Sequence, residues 1–531
     1  MRAIKRVRNA RQQTVGFICD DGTFYNNYNI LKFINQIENL KSKNDGGFRA
    51  DSELPVVTYK SLLSLEHKRI CKEKPLQRDI QKAFLDWKKH KTVFSNKALY
   101  VQGCRQSGKT TEIRKFAFKN YEYVIYIDIS MDDIGFQNLL LNREGISIKR
   151  VMSEYCKRAN LPEYEDSRRT VLIIDEIQNS KEVYNRIRVL KEGLKCDIII
   201  SGSYLSVISR DKGYFLPAGD LYYVTLFPLS FMEFSKVFKC EKSLKEIDLF
   251  GGSESSEYSK LFEIYNLYRQ IGGYPSVIMS YIQRRSIQVC YKEIDRLLKV
   301  FKEESIQYFS EPNTVMAFDA VFSEMLLEMI KKKRGSGTEY IKDITERVKI
   351  SYENFLDRRQ VQEAIAWVLN AGIIGTCDLA QEGKLTNILR NRRIYFLDCG
   401  LLSYVISRNA INESAWQGLL TETFVFSELS RLHYANYDDD SENESDIGFF
   451  IEPKLEKPVF SILDSYELKF IELYDKTIYS IEIKTGKSST KSLDEFMKRG
   501  FVNIEVIVEN TEGKSLTIPI YTVGCRFPYI K

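Results

Sequence analysis

Ala98-Leu99-Tyr100-Val101-Gln102-Gly103-Cys104-Arg105-Gln106-Ser107-Gly108-Lys109-Thr110-Thr111 is the stretch on which the fold turns. It opens on an apolar run of strand character and passes into a helix-like segment from Thr111 to Phe118. Between them lies the spacing GxxxxGK[ST], in the strand–loop–helix setting that a phosphate-binding P-loop needs. The residue types explain the spacing. Gly103 and Gly108 let the backbone curl so that successive N–H groups point inward at phosphate oxygens. The helix that follows adds its positive N-terminal end. Lys109 reaches the β- and γ-phosphates as a point charge, and the Thr110 hydroxyl can ligate Mg²⁺. Gln106, Ser107 and Thr111 complete the expected ATP-binding set.

A second motif weighs against the bland alternative, an unrelated Gly-rich turn. Val171-Leu172-Ile173-Ile174-Asp175-Glu176 is a four-residue apolar run ending in two carboxylates, where parallel α/β sheets place ligands. Asp175 is expected to hold Mg²⁺ through its water shell, and Glu176 to orient and deprotonate an attacking water. Alone, such a pair often just caps the next helix. A third run, Asp197-Ile198-Ile199-Ile200, ends in Ser201-Gly202-Ser203. Two readings stay open there: a polar side chain, Ser203, that senses the γ-phosphate, or a turn with hydroxyl caps.

Outward from these motifs, composition sets bounds. A chain of 531 residues exceeds what one core organises, so three or more domains are expected. A net charge of only +6 makes no commitment to nucleic acid or membrane. The basic N-terminus, Arg2 to Arg11, reads as solvated charge. No apolar stretch approaches the ~20 residues of a membrane span. The 10 cysteines include no CxxC pair and His67, His90 and His433 lie far apart, so neither a zinc finger nor a disulfide framework is expected. The compartment expected is the cytoplasm.

With these residues in view, the chain resembles the prokaryotic AAA-type ATPases whose C-terminal half has a restriction-endonuclease-like core. Gly103 to Thr111 resembles their "GxRQxGKTT", Asp175-Glu176-Ile177-Gln178 their "DEIQ", and Ser201-Gly202-Ser203 their "TGS". Pro228-Leu229-Ser230-Phe231-Met232-Glu233-Phe234 resembles "PLSFxEF", and Gly272-Gly273-Tyr274-Pro275 resembles "GGxP". Further on, Tyr395 to Leu402 resembles "YFxDxGLL" and Glu482 to Lys487 resembles "EVKxGK". The resemblance runs from about Pro75 to the C-terminus.

It implies an α/β, multidomain chain. Residues 1–74 form a small unit of unread role, in which Thr14–Cys19 reads as a strand and Asn29–Leu40 as a helix. A parallel-sheet P-loop ATPase core spans 75–235, a helical lid 236–314, a winged-helix-like domain 315–405 and a restriction-endonuclease-like domain 406–531. The winged-helix reading rests on helices at Tyr340–Val348 and Arg359–Asn370 with a hairpin after them. Arg358 and Arg359 either face a nucleic-acid backbone or are surface charge, and such domains also serve as protein contacts.

The C-terminal domain departs from its pattern. Restriction-like nucleases gather carboxylates around Mg²⁺ with a lysine nearby. Glu482 and Lys484 alternate onto one strand face, and Glu422 offers a further carboxylate. The central aspartate is replaced by Lys469, unless Glu467 or Asp464 substitutes. The expectation is a degenerate scaffold without nuclease activity, with Glu482 and Lys484 as a surface ion pair. The acidic stretch Asp438–Asp446 reads as a solvated loop. Where some relatives carry an arginine finger this chain has Asp220, leaving Arg210 and Arg269 as candidates. Two functions follow: ATP hydrolysis driving a conformational change on a nucleic acid or protein partner, or a nucleotide-gated switch with little turnover. No membrane partner is expected, and oligomers are possible.

Overall fold

The computed structural model describes residues 3–8, 14–19, 24–26, 56–58, 76–89, 97–131, 135–141, 146–159, 161–202, 220–306, 314–330, 340–351, 356–382, 384–385, 387–408, 413–435, 457–463, 466–474, 477–484, 502–507 and 517–525. The chain divides into two compact units. Residues 1–75, 80–102 and 109–223 form the first, and residues 76–79, 103–108 and 224–531 the second.

In the first unit, strands β1 (Ala3–Arg8), β2 (Thr14–Cys19), β3 (Phe24–Asn26) and β4 (Val56–Thr58) make a sheet in the order β3-β2-β1-β4. The strand expected at Thr14–Cys19 is β2, and the helix expected at Asn29–Leu40 lies outside the described residues. Helix α1 (Ile80–Lys89) is followed by β5 (Ala98–Gly103), α2 (Lys109–Asn120), β6 (Tyr123–Asp128), α3 (Phe136–Leu141) and α4 (Ile148–Arg158). Then come β7 (Thr170–Asp175), α5 (Lys181–Tyr184), α6 (Ile187–Gly193), β8 (Asp197–Ser201) and β9 (Leu221–Leu226). These strands form a five-stranded sheet in the order β6-β7-β8-β5-β9.

Strands β6, β7, β8 and β5 run parallel, and β7 and β8 are buried along their whole length. That is why their sequences are unbroken apolar runs rather than alternating ones. The register sets Asp128 opposite Asp175, Ile174 opposite Ile200 and Val101 opposite Ser201. The C-terminal ends of four neighbouring strands therefore lie level, the edge at which such sheets carry ligands.

The second unit begins its helical part with α7 (Phe231–Val237), α8 (Glu241–Glu246), α9 (Ser255–Ile271), α10 (Pro275–Arg284) and α11 (Ile287–Ile306). Helices α12 (Thr314–Ile330), α13 (Tyr340–Ser351) and α14 (Arg358–Asn370) lead into strands β10 (Ile374–Gln381) and β11 (Ile388–Phe396). Helices α15 (Cys399–Arg408) and α16 (Glu413–Ala435) precede β12 (Val459–Leu463), β13 (Tyr466–Tyr474), β14 (Thr477–Lys484), β15 (Val502–Ile507) and β16 (Thr517–Pro519). Strands β10 to β16 form one sheet in the order β11-β10-β12-β13-β14-β15-β16.

This sheet takes in the hairpin expected as a wing. The hairpin expected as the wing of a separate domain is β10–β11, and β10 pairs in parallel with β12. The two strands are thus the edge of the C-terminal sheet, and a boundary at 405/406 cuts across it. The expected helices at 340 and 359 are present as α13 and α14.

The "GGxP" and "YFxDxGLL" stretches interlock. The buried Asp398 carboxylate accepts the N–H of Gly273 (2.7 Å) and of Leu401 (3.1 Å), which caps α15. Burial pushes the Asp398 carboxyl above its usual range, against those bonds. Gly272 sits at φ 72°, and a Cβ there would lie 2.1 Å from Asp398 Oδ1, so only glycine fits. These motif residues hold the helical unit together.

Candidate functional site

In the first unit, Asp175 closes β7 and is 2% exposed. A carboxylate this buried needs donors for its lone pairs. Its Oδ2 accepts the Thr110 hydroxyl at 2.8 Å and the Tyr126 hydroxyl at 2.7 Å. Its Oδ1 accepts the Ser201 hydroxyl and, at 3.1 Å, the Glu176 N–H. Every donor comes from the level strand ends or from the first turn of α2. Burial pushes the Tyr126 phenol well above its usual range and the Asp175 charge adds to this, so Tyr126 stays a donor.

Glu176 adopts a left-handed backbone (φ 54°, ψ 43°), which costs a non-glycine residue about 1–3 kcal/mol. Strain of this kind persists only where the surroundings impose it. The Gln178 side-chain amide donates to Glu176 Oε2 and turns that carboxylate toward itself. Gly202 makes room for the clasp, because a Cβ there would lie 2.8 Å from Gln178 Oε1.

The loop Cys104–Gly108 joins β5 to α2. Positive φ angles at Gly103 (140°), Gln106 (60°) and Gly108 (98°) curl its backbone in the manner of anion-binding loops. A Cβ at Gly103 would lie 2.1 Å from the Leu226 carbonyl oxygen, so that position admits only glycine. Ser107 is fully buried and its hydroxyl donates to the Cys104 carbonyl (2.7 Å). Gln106 is exposed, Thr111 half-buried, and Lys109 is buried as the first residue of α2.

The sequence reading put Thr110, Asp175 and Glu176 together, and the structure does so too. Ser203 lies outside the described residues, and in the first unit it is Ser201 that reaches Asp175. Tyr126 was missed. Its signal is faint: a tyrosine near the end of an apolar strand, beside Asp175 only once the strand order is known. Asp220 accepts Arg188 Nε at 2.7 Å and also Lys191. Arg269 spends its guanidinium on Thr421 (3.2 Å) and Gln417 (2.6 Å), and Arg210 lies outside the described residues.

A second carboxylate cluster lies in the second unit. Lys469 Nζ sits 2.9 Å from Glu422 and 3.0 Å from Glu467, and Arg393 Nη2 is 2.8 Å from Glu467. The Arg393 guanidinium stacks on Phe460, 3.6 Å from the ring centre. Burial pushes Glu467 up, but Arg393 and Lys469 outweigh it and hold the carboxyl below its usual range. Glu482 is 7% exposed, so it is not the surface residue expected; the Lys484 side chain, Asp464 and the acidic stretch 438–446 lie outside the described residues.

Residues 95–235 match the family model described as an AAA domain. With the curled glycine loop and the acid-ended β7 in a parallel sheet, this segment is an AAA-type P-loop domain, a class that binds nucleotide. An uncharacterised protein of Haemophilus influenzae is 26% identical over 185 residues, 34% of this chain and 40% of the relative. The match thus spans less than half of that relative's length. Among solved structures, the Walker-type ATPase PABY2304 of Pyrococcus abyssi is similar at 12% identity, covering 62% of this chain and 95% of that one, with a TM-score of 0.39. The Aeropyrum pernix ORC1 protein in complex with DNA is similar at 14% identity over 61% and 86% of the two chains, with a TM-score of 0.27. The RuvB Holliday junction branch migration motor of Thermotoga maritima is similar at 13% identity over 57% and 90%, with a TM-score of 0.26. All three scores fall below the level at which a shared fold follows. Among the described residues no helix is long and apolar enough to cross a membrane.

Proposed function

We propose that the chain binds ATP with Mg²⁺ through Gly103–Thr111 and hydrolyses it, and that hydrolysis drives a conformational change acting on a nucleic acid or protein held by the C-terminal half. The observation that carries the first part is the Thr110 hydroxyl 2.8 Å from the Asp175 carboxylate. Both are hard oxygen donors, and hydroxyl protons can turn away when a cation arrives. Among the described residues no group of three or more His, Cys, Asp or Glu is placed to hold a metal. Thr110 and Asp175 would hold such an ion, leaving its other positions open to the nucleotide. Held by Thr110 and Asp175, Mg²⁺ would supply positive charge that offsets the charge of the phosphates.

The residues then take distinct roles. The loop N–H groups and Lys109 bind the phosphates, Thr110 and Asp175 hold the ion, and Glu176 accepts a proton from the attacking water. Ser203 belongs to the proposed set as a γ-phosphate sensor. Lys109→Ala should weaken ATP binding at least tenfold in equilibrium titration, and EDTA should weaken it for the wild type. Unchanged affinity in both would end this reading.

Three contacts favour the alternative, a switch with little intrinsic turnover. Glu176 is held by Gln178, and Arg269 and Asp220 are engaged within their own units. Slow hydrolysis that waits for a partner fits that arrangement. The C-terminal sheet with α16 fits a degenerate restriction-endonuclease-like domain, because the Lys469 ammonium already lies between the two carboxylates. Purified protein with Mg²⁺ or Mn²⁺ should leave plasmid and single-stranded DNA intact; cleavage lost in Glu482→Ala would overturn that.

A further inference from the structure

Arg78 lies outside the residues that match the AAA domain, and no motif marks it. Its guanidinium is buried and makes three bonds within the second unit. Nε donates to Glu233 Oε1 (3.1 Å), Nη1 to the Ser107 carbonyl (2.9 Å) and Nη2 to the Phe227 carbonyl (2.6 Å). Glu233 is itself fixed. It closes a capping box with Ser230 at the start of α7 and accepts the Asp79 N–H at 2.7 Å. Lys236, one turn further on, pairs with the Asp79 side chain.

The bond to Ser107 has a consequence for the loop. The peptide joining Ser107 to Gly108 is planar and trans, so its N–H points opposite to its carbonyl. Holding the Ser107 oxygen on Arg78 fixes the heading of the Gly108 N–H, one of the donors on which anion binding by such a loop depends. Gly108 has φ 98°, and glycine crosses to other conformations at little cost, so an unanchored peptide would rotate. The Ser107 hydroxyl is spent on Cys104 and does not hold its own carbonyl.

We infer that Arg78 is a positioning residue of the phosphate loop, a planar fork that keeps the Gly108 N–H aimed at bound nucleotide phosphate. This rests on the nucleotide reading above. A guanidinium suits the task because its donors are fixed in one plane and serve two carbonyls and a carboxylate at once. The N–H contact forms with ground and transition states alike, so its loss appears in affinity rather than in the chemical step.

Fluorescent-ATP titration of wild type, Lys109→Ala, Arg78→Lys and Arg78→Ala tests this. Arg78→Lys keeps the charge opposite Glu233 without the fork, so it remains folded even if Arg78→Ala does not. Its Kd should rise at least tenfold with one site per chain retained. An unchanged Kd in Arg78→Lys would overturn the inference. So would a fall in the number of sites at unchanged Kd, the mark of a merely structural role. If wild type binds no ATP, or Lys109→Ala binds as well as wild type, the nucleotide reading itself fails.

Discussion

Two carboxylate sites in this chain, the buried Asp175 and the partly buried Glu422 and Glu467, keep opposite kinds of company. Asp175 is surrounded by neutral donors, the hydroxyls of Thr110, Tyr126 and Ser201. Glu422 and Glu467 are matched by fixed positive charges, Lys469 and Arg393. The first arrangement keeps a net negative charge that a divalent cation can satisfy, since hydroxyls reorient at small cost. The second is already neutral, and an ion would have to displace an ammonium tied to its own backbone. Carboxylate count alone thus says little about metal chemistry; the partners decide.

The contrast is open to attack at each end. The largest effect should come from Lys469→Met, which strands two carboxylates against one arginine. Breaking a buried pair costs about 3–5 kcal/mol, and the lower end applies because Lys469 keeps 25% side-chain exposure. Adding Glu422→Gln should recover part of that loss in denaturant melts. Full stability of Lys469→Met would mean that the cluster is not a matched set. A smaller effect belongs to the other site. Tyr126→Phe removes one neutral donor, and about 0.5–1.5 kcal/mol of stability should go with it. Paired with Ser201→Ala, the loss should exceed the sum of the two singles, as each leaves Asp175 more dependent on the other.

The smallest is a pH effect. Glu467 is held below its usual range when folded, so its charged form is the favoured one. Its contribution is present above the unfolded value of about 4.3 and is lost as pH falls through the lower folded value. Glu467→Gln should therefore flatten the acid side of the stability curve below about pH 4. An unchanged acid limb would show that Arg393 and Lys469 do not act as described.

What could be read from sequence was what is local in it. The glycine loop, Lys109, Thr110 and the acid end of β7 each declare themselves within a few residues, because their chemistry depends on backbone spacing. Tyr126 did not, since its role follows from strand order, which no local pattern carries; Ser201 was in view only as part of Ser201-Gly202-Ser203, without its bond to Asp175. Arg78 meets Glu233 across 155 positions, and nothing near it announces a buried guanidinium. Lys469 was visible only as a departure from a pattern, and the sequence could not say that it bonds Glu422. That the hairpin read as a wing also joins the C-terminal sheet was hidden for a related reason: β10 and β11 look alike whether they stand free or pair with β12.

The central claim is that ATP is hydrolysed with Glu176 as the base, and phosphate release by wild type and Glu176→Gln tests it most directly. The account predicts that both bind Mg²⁺-ATP equally well while Glu176→Gln turns over about 10²–10⁴-fold more slowly. Hydrolysis at the wild-type rate in Glu176→Gln would contradict it.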